Sequence, residues 1–380
     1  MQVLPLDIVQ VDMSDIYPMN QFRLMEALMA IEYITATDRE ALAFISRFPG
    51  ADTEAVAQAL TAQASNLTKG KTAKHPTPNV VARRLAKLER MGCVQSWRNP
   101  AARVTHWGIL EGGMDALAIY GEAPTQERGI SGKRGLSLMH GRDIAHVAAQ
   151  LMHHEHTDHV VSGLIKEPVP VENFVTDASM QSAMTTLRKS ATGGDWSLYK
   201  YAKKTLSTTT YEELKDPEFW QINPELLTFT APASLNTKWG THRPDLVVCN
   251  PDGLRFAFEI ERNAKTTADY VDILRLFAHT LTAYTAADGT RVQPVSMLFY
   301  LCATDSIKKA ITKAAEQVPG IEKRLRITDL TDSQGQLLRY GDIVPSAPKA
   351  QKPPVVSGAS KAPEAPTTAS PVQAPGARRA

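Results

Sequence analysis

Cysteine is scarce in this 380-residue chain: Cys93, Cys249 and Cys302 stand far apart, each among apolar neighbours. That spacing offers neither a disulfide framework nor a zinc site, and it fits core residues of a cytosolic protein. No apolar run approaches the roughly 20 residues that a membrane helix needs. The chain does not open on a basic segment followed by an apolar one, so neither export nor membrane anchoring is expected and the protein is placed in the cytoplasm. Charge of one sign is also lacking, with 42 Lys and Arg against 40 Asp and Glu, a net +2. Any nucleic-acid contact must therefore come from local basic patches.

Two catalytic motifs are approached and missed. His153-His154-Glu155-His156-Thr157-Asp158-His159 matches neither His-Glu-x-x-His nor its inverse, because Asp158 stands where a second histidine is needed. The stretch reads as a polar helix end. Gly129-Ile130-Ser131-Gly132-Lys133-Arg134 lacks the glycine spacing and the hydroxyl residue of a phosphate loop.

What is present suits a globular protein with room for two cores: 43% hydrophobic and 22% charged residues. After a lead-in over 1–20, Leu24, Leu28, Ile31, Ile34, Leu42 and Ile45 give an apolar helical stripe. Thr37-Asp38-Arg39-Glu40 has capping-box spacing, and Asp52 or Thr53 can cap a helix over 54–63. Asn79 is expected to cap a helix from Val80 to Met91, with Val81, Leu85 and Leu88 buried and Gly92 closing it. Strands over 93–97 and 104–110 follow, then Gly112-Gly113 and a further helix.

Three helices and a two-stranded ribbon are the layout of a winged helix-turn-helix. The run from Leu85 through Leu88, Gly92, Cys93 and Val94, then Trp107, Leu110, Gly113 and Leu117, resembles the end of many winged-helix regulators. That resemblance implies double-stranded DNA as partner. Arg83, Arg84, Lys87 and Arg90 would face the major groove, while Arg98 and Arg103 on the wing and Lys69, Lys71 and Lys74 in the loop would hold phosphates. Winged helices often bind palindromes as homodimers, although no dimer helix is evident here.

Residues 121–135 read as a linker. A helix follows over 136–154, then a strand and helix within 160–189. The segment 193–232 carries Trp196, Tyr199, Tyr201, Phe219 and Trp220 beside Lys200, Lys203 and Lys204. It either contacts DNA as an insertion or covers a sheet with its aromatics.

The decisive stretch is 239–265. Leu246 to Cys249 is an apolar run, Pro251-Asp252-Gly253 a turn, and 254–261 alternates as a strand. A three-residue loop with Gly253 left-handed places Asn250 against Leu254 and Asp245 across from Glu259. Asp245, Glu259 and Glu261 then share one face, a set tolerable mainly around a hard cation such as Mg²⁺. An amphipathic helix through Tyr270, Ile273, Leu274, Phe277, Leu281 and Tyr284 follows, then a buried strand over 293–303, a helix from Asp305 to Val318 and a strand over 325–330.

This order resembles the Pro-Asp…Asp/Glu-x-Lys hairpin of restriction-endonuclease-like nucleases, with Glu261 where that family has lysine. Arg262, Lys265 and His242 are the candidates to replace it, and Asp177 or Glu172 the candidates for a further acid. The fold expected is a two-domain α+β or α/β protein: a winged helix over 21–120, and a restriction-endonuclease-like mixed sheet flanked by helices over 136–344. A tail over 345–380, with eight of the chain's 24 prolines, is expected to be disordered.

Together, Leu85 to Leu117, Arg243-Pro244-Asp245 and Phe258-Glu259-Ile260-Glu261 resemble the replication-relaxation family of plasmids and mobile elements. The resemblance implies a DNA-binding accessory protein of replication or transfer, with replication or relaxase proteins as partners and a nuclease-like domain without activity. Two alternatives stand beside it: a Mg²⁺-dependent endonuclease using Asp245, Glu259, Glu261 and Lys265, and a transcriptional repressor.

Overall fold

The computed structural model describes residues 34–60, 76–99, 103–121, 135–156, 158–191, 197–235, 237–238, 240–332 and 335–338. The helical stripe before residue 34, Lys69, Lys71 and Lys74, most of 121–135 and the proline-rich tail lie outside them. Among the described residues, no helix is long and apolar enough to cross a membrane.

Helix α1 (Ala36–Arg47) begins at a capping box in which the Thr35 hydroxyl accepts from the Asp38 N–H and the Asp38 carboxylate accepts from the Thr35 N–H. The box thus lies two residues ahead of the expected Thr37 and Glu40. Both pairs have the right spacing, and the Arg84 guanidinium fixes the earlier one by donating to Asp38 at 2.7 Å and Thr35 at 2.8 Å. Asp52 caps α2 (Thr53–Ala59) through the Ala55 N–H. Helix α3 (Pro78–Arg90) starts before Asn79, because Pro78 has no N–H to satisfy and its fixed φ suits a first turn. Gly92, at φ +72°, turns the chain into the antiparallel hairpin of β1 (Val94–Asn99) and β2 (Val104–Ile109), and α4 (Glu111–Ile119) follows.

Helix α5 (Gly135–Met152) and the short α6 (His159–Leu164) lead to β3 (Phe174–Thr176) and α7 (Asp177–Ser190). Helices α8 (Leu198–Thr208), α9 (Tyr211–Lys215) and α10 (Pro217–Ile222) precede a small pair of strands, β4 (Phe229–Thr230) and β5 (Thr241–His242). Next come β6 (Leu246–Cys249), β7 (Arg255–Glu261) and α11 (Thr267–Thr280), then the paired β8 (Tyr284–Thr285) and β9 (Arg291–Val292). Strand β10 (Met297–Cys302), α12 (Asp305–Ala315) and β11 (Leu325–Asp329) are the last elements among the described residues. Thr304, one residue before the expected Asp305, caps α12.

The architecture is mixed α and β around a five-stranded sheet in the order β11-β10-β7-β6-β3. Strands β3, β6 and β7 run antiparallel, and β10 and β11 continue parallel to β7. Both faces are covered, so the central strands are buried along their length, and apolar apart from Arg255, Glu259 and Glu261 of β7. Phe256, Phe258, Ile260 and Phe299 share one core with Leu42, Ile45, Val56, Leu85 and Leu88 of the front helices. On the other face Val247, Ala257, Leu298 and Tyr300 pack with Tyr270, Leu274, Phe277, Ile307 and Ile311 of α11 and α12. The segment 193–232 contributes here, with Trp220 and Leu206 buried against this second face.

Candidate functional site

Two surfaces carry the residues singled out in the sequence. The first is α3 with the β1–β2 hairpin. Val81, Leu85 and Leu88 are fully buried, each contributing about 1.5–3 kcal/mol, and this fixes which side of α3 faces water. Arg83 and Arg90 are exposed there, and Lys87 is half-buried. Glu89, the helix's one acid, is turned to the hairpin, where it accepts from the Ser96 N–H at 2.9 Å and its hydroxyl at 2.7 Å. Arg98 and Arg103 are exposed near the hairpin's end. Arg84 departs from its expected place toward DNA. Its guanidinium lies on the buried Asp38, because a carboxylate enclosed at the α1 cap needs a cation and Arg84 is within reach.

The second surface is the edge of the sheet where β6 and β7 meet. Asn250 and Leu254 pair across Pro251-Asp252-Gly253, with Gly253 at φ +78°. The pairs from Cys249–Arg255 to Leu246–Phe258 then continue to Asp245 opposite Glu259. This is the expected register. Tyr300 of β10 lies beside Glu259, and Cys302 beside Glu261.

Each of these carboxylates already has a partner. Asp245 accepts from His140 Nε2 at 2.8 Å and from the Ile260 N–H at 2.7 Å. Glu259 accepts from His242 Nε2 at 2.8 Å, and Glu261 takes the Lys265 ammonium. Burial pushes Glu259 and Glu261 above the usual carboxylate range despite these partners. Burial works the same way on Asp245, but His140 and the Ile260 N–H hold it below that range. Asp245 in turn overcomes the burial of His140 and raises it to about 9. Lys265 is raised as well, since Glu259 and Glu261 outweigh its burial.

Of the three candidates for the missing lysine, Lys265 and His242 reach the acidic edge and Arg262 does not. Arg262 binds the buried Asp143 and the Leu338 carbonyl. Asp177 opens α7 and pairs with Arg243, while Glu172 lies beyond the other end of β3. His140 and Asp143, both on α5, are the members that sequence reasoning missed. His140 is 105 residues from Asp245, and nothing local to either residue marks the pairing.

The arrangement does not fit a Mg²⁺ ion held by Asp245, Glu259 and Glu261. A hard cation needs carboxylate oxygens converging on one point, whereas here Asp245, Glu259 and Glu261 are each taken by a different side chain, His140, His242 and Lys265. Among the described residues, the group whose ligand atoms do converge, all within 4.8 Å, is Asp52, Glu54 and His146. There the Arg142 guanidinium already lies against Asp52, together with His146 at 3.0 Å. The histidine-rich stretch is accounted for by packing: His153 meets the Ala59 carbonyl, His154 the Ser162 carbonyl, and Asp158 caps α6. Burial lowers His156 to about 4. Compared with family models, curated proteins and solved structures, the chain finds no match.

Proposed function

We propose that this chain is a duplex-DNA-binding protein that reads DNA through α3 and the β1–β2 hairpin, with the five-stranded sheet as a nuclease-like frame that does not cleave. The observation that carries the reading is the division of labour on α3. Three apolar residues anchor it, its acid is held by Ser96, and Arg83 and Arg90 are left exposed, as are Arg98 and Arg103 on the hairpin that follows. The bridge between Asp52 and His106, which sets the segment after α1 against β2, supports a winged helix-turn-helix. The helix, three antiparallel strands, helix and parallel strand from α5 to β10 support a restriction-endonuclease-like frame. The resemblance to the replication-relaxation family makes the role accessory or regulatory in a plasmid or mobile element, with replication or relaxase proteins as further partners.

Fluorescence anisotropy with duplex DNA over a salt series tests the binding. Arg83→Ala with Arg90→Ala is expected to weaken binding tenfold or more and to flatten the dependence on salt by about one unit of slope per lost phosphate contact. An unchanged affinity would remove the reading. A role as transcriptional repressor, on the same surface, is separated by a reporter under the element's own promoter.

The alternative, a Mg²⁺ endonuclease, draws on Lys265 reaching the acidic edge, and it needs that ammonium to leave Glu261 before Asp245, Glu259 and Glu261 can share an ion. It requires cleavage of supercoiled plasmid in Mg²⁺ or Mn²⁺ that both Asp245→Ala and Glu259→Ala abolish. Intact plasmid after prolonged incubation rules it out.

A further inference from the structure

On the face of the sheet covered by α11, a cavity of about 300 Å³ opens between α8 and the turn from α11 into β8. Its lining follows from helical spacing. Leu198, Ala202 and Leu206 recur every fourth residue and are buried, fixing α8 against the protein. The next row along the helix, Tyr199, Lys203 and Ser207, has the same spacing and forms one wall. His279, Thr282, Tyr284 and Thr285 form the other.

The wall chemistry is aromatic and cationic. The rings of Tyr199 and His279 meet edge to face with centroids 5.2 Å apart. His279 Nδ1 is buried and has no hydrogen-bond partner, and burial lowers the ring's pKa. Burial and the neighbouring Tyr199 raise Tyr284 to about 12, which keeps it a neutral phenol. Lys203 is exposed at the rim, next to Lys204 in sequence. Arg291 is exposed and faces Thr285 across the β8–β9 pair. The acid nearest in this hairpin, Asp288, is turned away to the backbone N–H groups of Tyr211 and Thr290.

We infer that this cavity binds a nucleobase carrying a phosphate, with the base against Tyr199, Tyr284 and His279 and the phosphate toward Lys203 and Arg291. Aromatic faces hold any base by stacking, and cations at the rim hold the backbone or phosphate. The volume lies at the lower end of small-molecule sites, roughly 300–1,000 Å³, room for one base and its sugar. A strand of single-stranded DNA and a free nucleotide share this chemistry.

The full chain is titrated with fluorescein-labelled oligo(dA), with AMP and with inorganic phosphate. Tyr199→Ala and the surface change Lys203→Glu are each expected to weaken binding by about fivefold or more. Tyr199→Phe, which keeps the ring, stays near the parent, and duplex binding through Arg83 and Arg90 is unchanged in all three. Competition by AMP at the affinity of the oligonucleotide identifies a free nucleotide as ligand, and binding of the oligonucleotide alone identifies a strand. No binding of either probe overturns the inference. So does equal competition by phosphate alone, or indifference to both Tyr199→Ala and Lys203→Glu.

Discussion

Adjacent arginines on α3 do different work, and stability measurements separate them. The Arg84 side chain is 31% exposed but contacts an Asp38 that is 2% exposed. Arg84→Ala leaves that carboxylate with only the hydrogen bonds of Thr35, and a loss of about 1–2 kcal/mol is expected in denaturant unfolding. Arg83→Ala, on open surface, should stay within about 0.5 kcal/mol of the parent. Equal effects of the two would contradict the assignment. His140 adds a pH-dependent contribution. Its pKa rises from an ordinary 6.5 to about 9 in the fold. The pairing with Asp245 is therefore fully present below pH 6.5 and is lost as pH rises through about 9. Asp245 stays ionised over that window, being held below the usual carboxylate range. Unfolding at pH 6 and pH 9 should show the parent losing on the order of 1 kcal/mol more than His140→Gln across the window, after allowance for solvent screening. Parallel losses would show that the pair contributes nothing.

At the scale of elements, the hairpin of β6 and β7 was the most legible part of the chain. Pro251-Asp252-Gly253 names its own loop, and loop length alone determines which side of β6 Asp245 occupies. Gly253→Ala tests this. The alanine takes on the left-handed backbone at φ +78°, and its Cβ would lie 2.7 Å from Lys215 Cγ and 3.4 Å from Lys215 Cβ, so the root of that side chain must shift as well. Backbone strain and this crowding add, so at least about 1–2 kcal/mol should be lost with no change in the denaturant m-value. Val81, Leu85 and Leu88 were equally legible, because periodicity alone marks a buried helical face. What the sequence hid was contact between distant elements. His140 on Asp245, Asp143 on Arg262 and Arg84 on Asp38 are each long-range choices among many possible cations or acids. The Tyr199, Lys203 and Ser207 row could have been found by the same fourfold spacing that marks Leu198, Ala202 and Leu206, yet its opposite wall comes from α11 and β8.

For the whole molecule, the question is whether the helical front with its β1–β2 hairpin and the sheet behave as separate domains. A linker over 121–135 suggested that they do, but the described residues on its two sides share one hydrophobic core, in which Leu85 and Leu88 join Phe258 and Phe299. A buried polar knot reinforces the contact. Asp52, the cap of α2, takes Arg142 and His146 from α5, while His106 of β2 meets the Gly50 carbonyl at 2.8 Å. Burial alone would raise Asp52, but His146 and Arg142 hold it far below the usual carboxylate range. A shared core of this kind melts as one unit. Calorimetry of the full chain should give a single transition with equal calorimetric and van't Hoff enthalpies. Asp52→Asn keeps the side-chain acceptor at the cap but removes the buried negative charge that Arg142 and His146 face, costing about 3 kcal/mol near neutral pH. Because the native pKa of Asp52 is depressed, the parent's advantage is present above about pH 4 and shrinks as pH falls through that native value. Two resolved transitions, with only the first moved by Asp52→Asn, would show instead that the front folds independently of the sheet. The proposed DNA binding would then be testable on the front alone.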